Sequence, residues 1–256
     1  MLVDVCLVLL LDSSSAVSTN DWQLQAAATS AAIRHPDVVG RMTAGPMGKT
    51  AVFVAEWSNA TALMTPWTVI AGPADAHRAS GAIDLHQRYG HGTADLKHAL
   101  RMAKDALLAA KTLGIECESS VVDVSGGGDS AVSGDAYEEI AALTEKGAQV
   151  NAIVVGGEVA VRDFYRDTVP GFVAWATWDV YAQAIRAKIM TEIGKFAEAW
   201  EPGPVIEYVP GYGPTRDWGF VQEVLPSDIG QQTSVPTPGL LALGLLGFGY
   251  LAWRKQ

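Results

Sequence analysis

Leu2-Val3-Asp4-Val5-Cys6-Leu7-Val8-Leu9-Leu10-Leu11-Asp12-Ser13-Ser14-Ser15 is the stretch on which the fold turns. Its apolar residues fall on odd and even positions alike. A strand with that pattern is buried on both faces, as strands of a parallel sheet between helices are. The switch at Asp12 to a carboxylate and three hydroxyls marks the carboxyl end of the strand. A secretory leader would need basic residues ahead of the apolar run and a small-residue cleavage site, and no basic residue precedes Arg34. The run is therefore read as a strand, and on that reading either the chain is cytoplasmic or its true start lies upstream.

Outward from this strand, short apolar segments alternate with longer helical ones, the pattern of βαβ units around a mostly parallel sheet. A helix is expected from near Asn20 to His35-Pro36, with Asn20 as its N-cap. Strands follow at Thr50–Trp57 and Ala62–Val69, joined as a hairpin through Ser58-Asn59-Ala60, and Pro66 makes the second an edge strand. Helices are read at Ala74–Gln87 and Ala94–Leu113, a strand at Ser119–Ser125, a helix at Asp135–Lys146, and strands at Gln149–Val155 and Gly171–Ala176. The last helix is placed at Val180–Trp200, with Ala182, Ile185, Ile189, Ile193, Phe196 and Trp200 recurring at core spacing. The expected fold class is α/β: a doubly wound, mostly parallel sheet with helices on both faces, plus a C-terminal hydrophobic helix.

The bulk composition agrees with one such domain and an appendage. The chain has 256 residues, 49% of them hydrophobic and 18% charged, with a net charge of −10. That balance fits a globular core and argues against a nucleic-acid partner, which needs clustered Lys and Arg. Cys6 and Cys117 offer no zinc spacing and sit in or beside apolar runs, so free buried thiols are expected ahead of a disulfide. His86, His91 and His98 also match no zinc pattern and are expected at solvated positions. Asp123 sits mid-strand, where its carboxylate is expected to be hydrogen-bonded or to face a loop.

Three polar loops leave strand ends or open helices, where ligands of open α/β sheets bind: Asp12-Ser13-Ser14-Ser15, Gly92-Thr93, and Ser125-Gly126-Gly127-Gly128-Asp129. Two readings fit them. Carboxylate and hydroxyl oxygens suit a hard cation such as Mg²⁺; alternatively Asp12 and its serines merely cap the next helix. The spaced glycines of a dinucleotide site are absent. Gly48-Lys49-Thr50 leads into a strand, unlike a phosphate loop, and no nucleophile has an evident base.

The segments Asp12–Gln25, Val52–Trp67, Gly92-Thr93-Ala94 and Val122–Gly126 occur in order and resemble a bacterial branch of the von Willebrand factor A superfamily over most of residues 2–200. The resemblance implies a metal-ion-dependent adhesion site built from D-x-S-x-S, a Thr of a later loop and an Asp after the fourth strand. Asp12, Ser14 and Thr93 match that pattern. Ala16 stands where the second Ser is expected, with Ser15 adjacent, and Gly127 where this branch has its Asp, with Asp129 two residues on. The implied site binds Mg²⁺ or Mn²⁺ weakly or not at all.

After Trp200 the composition changes. Three segments are expected: the domain over 1–200, a Pro/Gly-rich linker over 201–234, and a tail over 235–256. The tail, with Val235, Pro236, Thr237 and Pro238, an uncharged run of 15 residues from Gly239 to Trp253, then Arg254 and Lys255, resembles the PEP-CTERM sorting signal. That resemblance implies a membrane helix, an exosortase-type processing enzyme as partner, and delivery to the surface of a Gram-negative cell. The function expected is a non-enzymatic, extracytoplasmic module that captures an unknown protein or extracellular-matrix ligand. A metal-assisted hydrolase using the same loops and a structural surface protein with an inactive site are the alternatives.

Overall fold

The computed structural model of the chain describes residues 1–127, 133–156 and 159–194. Six strands form one sheet: β1 (Leu2–Asp12), β2 (Thr50–Trp57), β3 (Thr61–Ile70), β4 (Glu116–Gly126), β5 (Ala148–Val155) and β6 (Val173–Ala176), in the order β3-β2-β1-β4-β5-β6. All neighbours are parallel except the β2–β3 hairpin. β3, with Pro66, lies at the sheet edge, where a missing N–H costs no ladder bond. β1 sits centrally between β2 and β4, and every residue from Val3 to Asp12 is buried.

The helices cover both faces. On one, α1 (Thr19–Arg34), α2 (Pro36–Met42), α3 (Pro73–Leu85) and α7 (Tyr181–Ile193) bury Trp22, Ile33, Met42, Ile83 and Ile189 against the β1 residues Val5, Leu7, Leu9 and Leu11. On the other, α4 (Leu96–Thr112), α5 (Ser133–Glu145) and α6 (Val159–Thr168) pack Leu100, Ile140 and Tyr165 against Val8 and Leu10. The period-two alternation of β1 thus feeds two separate cores.

Several expectations are corrected. No helix among the described residues is long and apolar enough to cross a membrane. The 15-residue run from Gly239 to Trp253 would reach only about 22 Å as a helix, short of the roughly 30 Å hydrocarbon core. It and the motif residues Val235, Pro236, Thr237, Pro238, Arg254 and Lys255 lie outside the described residues, as do 201–234. The C-terminal membrane helix, the exosortase partner and the surface localisation that depended on them are withdrawn. The cysteines are also corrected: Cys6 and Cys117 form a disulfide with a Cα–Cα distance of 5.5 Å, because β1 and β4 pair side by side. α1 is capped by Ser18, whose hydroxyl accepts from the Asp21 N–H, and not by Asn20. Ala182 is exposed, whereas Ile185, Ile189 and Ile193 are buried.

α7 is held down by charge as well as by packing. The Lys188 ammonium lies 2.6 Å from the Asp123 carboxylate of β4 and also pairs with Glu192 one turn on. Asn151 of β5 donates to Glu192 at 2.8 Å. All three charged side chains are buried. Two carboxylates against one ammonium leave a surplus negative charge in a low-dielectric site, which favours keeping a proton. Burial pushes the Glu192 carboxyl up to about 7, with the nearby Asp123 charge acting the same way. Asp123 is raised too, by burial, with Lys188 opposing.

A raised folded-state value means that the native chain keeps a proton the unfolded chain releases. Stability is therefore expected to fall as pH rises from about 4.5 to about 7, by on the order of a few kcal/mol, and then level off. Urea unfolding across this range checks it, and Glu192→Gln is expected to flatten that limb. Equal midpoints at pH 5 and pH 7.5 in the wild type would refute it.

Candidate functional site

At the carboxyl ends of β1, β2 and β4 the chain gathers polar groups that burial would otherwise penalise. Asp12 is fully buried, and its two carboxylate oxygens accept from different loops. Oδ1 takes the Ser14 N–H at 2.7 Å and Oδ2 takes the Gly127 N–H at 3.1 Å. The Asp12 carbonyl accepts from Gln25 Nε2 at 2.9 Å, and Ser125 Oγ donates to Gln25 Oε1 at 2.7 Å. Ser125 Oγ also meets the Tyr181 hydroxyl at 3.0 Å, so one polar chain runs from β1 through α1 and β4 to α7. Burial raises the Tyr181 phenol far above its ordinary range, which keeps it neutral.

Asp12 and the Gly127 backbone are brought together, and the third loop joins them: the Ser15 N–H donates to the Gly92 carbonyl at 2.8 Å, next to Thr93. Ser14 is buried and its hydroxyl has no hydrogen-bond partner among the described residues, while Ser15, Ala16 and Thr93 are exposed. Asp129 lies outside the described residues. Gly90 is constrained by close approach, since an added Cβ would lie 2.2 Å from the Oγ of buried Ser13.

The segment between α3 and α4 contributes what sequence reading missed. From Leu85 to His91 the chain alternates outward and inward. Leu85 (85% exposed), Gln87, Tyr89 (68% exposed) and His91 face solvent, while His86, Arg88 and Gly90 turn in. Glu56, buried at the end of β2, accepts the Tyr89 and Gly90 N–H groups at 2.6 and 2.8 Å. Its other oxygen lies 3.3 Å from His86 Nε2, so His86 is half-buried against a carboxylate and not solvated. Arg88 Nη2 donates to the carbonyls of Ser13, Ser14 and Val17 at 2.9, 2.7 and 2.8 Å, and Nε to that of Gly90 at 3.1 Å. This segment forms a strap over the β1–α1 loop, pinned by Glu56 and Arg88. The available signal was Glu56 itself, a carboxylate ending an otherwise apolar strand, as Asp12 does.

Among the described residues no group of three or more His, Cys, Asp and Glu is placed to hold a metal ion. Among the described residues the Asp12 and Ser14 positions bring one carboxylate, which accepts two N–H groups, and one buried hydroxyl. The unpartnered hydroxyl fits a cation; one carboxylate fits it poorly, because Mg²⁺ and Mn²⁺ affinity rests on several charged or polar oxygens.

The family described as "Protein of unknown function (DUF1194)" matches residues 2–197. No curated protein matches the chain. Among solved structures, proximal thread matrix protein 1 from the mussel byssus is similar at 17% identity and a TM-score of 0.54, over 75% of this chain and 46% of that one. The chain thus spans about half of that protein's length. A further structure of the same mussel protein carries a zinc-occupied MIDAS motif. The vWF domain of the type V pili tip protein Mfa5 from Porphyromonas gingivalis is similar at 11% identity and a TM-score of 0.54, over 78% of this chain and 98% of that one. The pilus adhesin SpaC from Lactobacillus rhamnosus GG is similar at 12% identity and a TM-score of 0.58, over 76% of this chain and 31% of that one. At these identities the likeness is one of fold: the chain has a von Willebrand factor A-like fold.

Proposed function

This chain belongs to the DUF1194 family, and we propose that it is a non-enzymatic binding module that captures a protein partner at the carboxyl end of its sheet. The observation that carries this reading is the strap. A rigidly pinned segment presents Leu85 and Tyr89 to solvent beside the Asp12, Gly92 and Gly127 loops. Exposed aromatic and aliphatic side chains on a pre-organised backbone are the features that concentrate binding energy at interfaces. A pilus adhesin and a pili tip protein among the similar structures support it. An enzymatic reading has less behind it, since among the described residues His86 lies against Glu56 and neither the Ser13 nor the Ser14 hydroxyl is hydrogen-bonded to a base.

Asp12, Ser14 and Thr93, with Ser15, form the metal side of this proposal. The mussel protein of the same fold takes zinc at its MIDAS motif, but here Ala16 and Gly127 supply no ligand oxygen from their side chains. The full chain is expected to bind Mn²⁺ with a Kd no tighter than roughly 1 mM. Ala16→Ser with Gly127→Asp is expected to tighten it at least about tenfold. Ala16 is exposed and accepts a hydroxyl freely, while a Cβ at Gly127 would lie 3.1 Å from the Val155 carbonyl, so that loop must give slightly. Calorimetric titration decides: micromolar binding by the wild type, or no gain in the variant, overturns this assignment.

The binding role is tested by presenting the full chain to immobilised extracellular-matrix proteins, with Leu85→Ser/Tyr89→Ser as the comparison. Capture by the wild type and its loss in the folded variant is the expected result. Turnover of a phosphate or carboxylate ester that disappears in Asp12→Asn would replace it with the hydrolase reading.

A further inference from the structure

In the β1–α1 loop the N–H groups of Ser13, Ser15 and Val17 are taken up by the carbonyls of Trp57, Gly92 and Ser14. The N–H of Ser14 points to Asp12. The carbonyls of Ser13, Ser14 and Val17 converge on one point, and the Arg88 guanidinium occupies it. Three carbonyls turned to a common centre repel one another unless a positive charge sits there. Arg88 supplies that charge, with its donors in a fixed fork. Its own backbone is fixed in turn, because Glu56 accepts the next two N–H groups, those of Tyr89 and Gly90.

We infer that Arg88 is the positioning residue of the binding face: as an internal cation it holds the 13–17 loop in its binding conformation, so the face is set without a bound metal. This deepens the proposed function and rests on that reading for what the face is used for, but not for how the loop is held. The hydrogen bonds that hold the loop come from the chain itself, through Arg88, Gly92 and Asp12. A divalent ion there would add to a loop already formed.

The test reads the loop directly, with no partner present. Amide hydrogen exchange is followed in the full-length protein as wild type, Arg88→Ala and Arg88→Lys, each in chelator and in 5 mM Mn²⁺, together with the melting midpoint. The wild-type loop over 13–17 is expected to exchange at the same rate in chelator and in Mn²⁺. Arg88→Ala is expected to speed exchange there at least about tenfold, with the β1, β4 and β5 amides unchanged. Arg88→Lys is expected to recover part of the protection, since an ammonium offers three donors but no planar fork. Millimolar ethylguanidinium, far below denaturing concentrations, is expected to slow exchange in Arg88→Ala and to leave the wild type alone.

The inference is overturned by unchanged loop exchange in Arg88→Ala, or by wild-type protection that appears only with Mn²⁺. If Arg88→Ala proves too unstable to study, the chelator comparison on the wild type still decides. Failure to capture any matrix protein would count against the binding role and leave these outcomes untouched.

Discussion

Lys188→Ala is expected to cost the domain about 3–5 kcal/mol, read as a drop in the urea midpoint with an unchanged m-value. The reason is what remains. Asp123 and Glu192 would stay buried side by side with no positive charge between them. Taking up a proton on each carboxyl is the only relief, so the loss is expected to be larger at pH 8 than at pH 5. The gap between the two pH values separates charge imbalance from simple loss of packing, since a cavity costs the same at both. Replacing the whole set, Asp123→Leu with Lys188→Met and Glu192→Leu, is expected to regain most of the stability, because a buried ion cluster is seldom worth more than well-packed apolar groups. A Lys188→Ala midpoint within error of the wild type would show that the cluster is open to water.

The second large effect concerns Cys6 and Cys117. They are 111 residues apart in sequence, and the closed loop between them contains α1, α2, β2, β3, α3 and α4. Removing such a crosslink restores conformational freedom to the unfolded chain worth roughly 4–5 kcal/mol on the chain-entropy account. Cys6→Ala with Cys117→Ala is therefore expected to lower the urea midpoint by most of the margin of a typical domain. Alanine is chosen because Cys6 lies in an apolar pocket with Val3, Ala51, Ala110 and Ile115, where a serine hydroxyl would add its own penalty. Chain prepared under reducing conditions is expected to match the variant. Mass spectrometry of alkylated protein provides the control, and two free thiols in protein folded under oxidising conditions would remove the basis of the prediction.

How far the sequence carries depends on whether a residue's partner is local. β2 is legible to the residue, because apolar character starts at Thr50 and stops at Trp57 with turn residues on either side. α2 is not. Pro36 reads as a helix stop, yet it opens a seven-residue helix at a position where a missing N–H is harmless, with the His35 ring accepting the Asp37 N–H. α6 escapes because Arg162, Asp163, Arg166 and Asp167 dominate it, and its buried residues are only Val161, Tyr165 and Thr168. At the site, Asp12, Ser14 and Thr93 are legible as chemistry because they follow strand ends or open helices. Arg88 is silent and Glu56 shows only as a carboxylate near the end of an apolar strand, since their partners are mostly backbone groups of loops distant in sequence, and backbone groups carry no letter code. Lys188 and Glu192 left a fainter mark: charged residues at the same helical spacing as Ile185 and Ile189 on a face that otherwise reads as core.

The strap separates two jobs along a single run of seven residues. Its even-numbered positions, His86, Arg88 and Gly90, grip the domain, while the side chains of Leu85, Gln87, Tyr89 and His91 are exposed to solvent. What the surface displays is thereby uncoupled from what keeps it in place. Lineages can drift at the odd positions and acquire new partners without an intervening loss of stability, the usual toll on changing a binding loop. The same division makes the strap a display frame, with four substitutable side chains arranged in fixed order along one exposed edge and their anchors out of reach behind them.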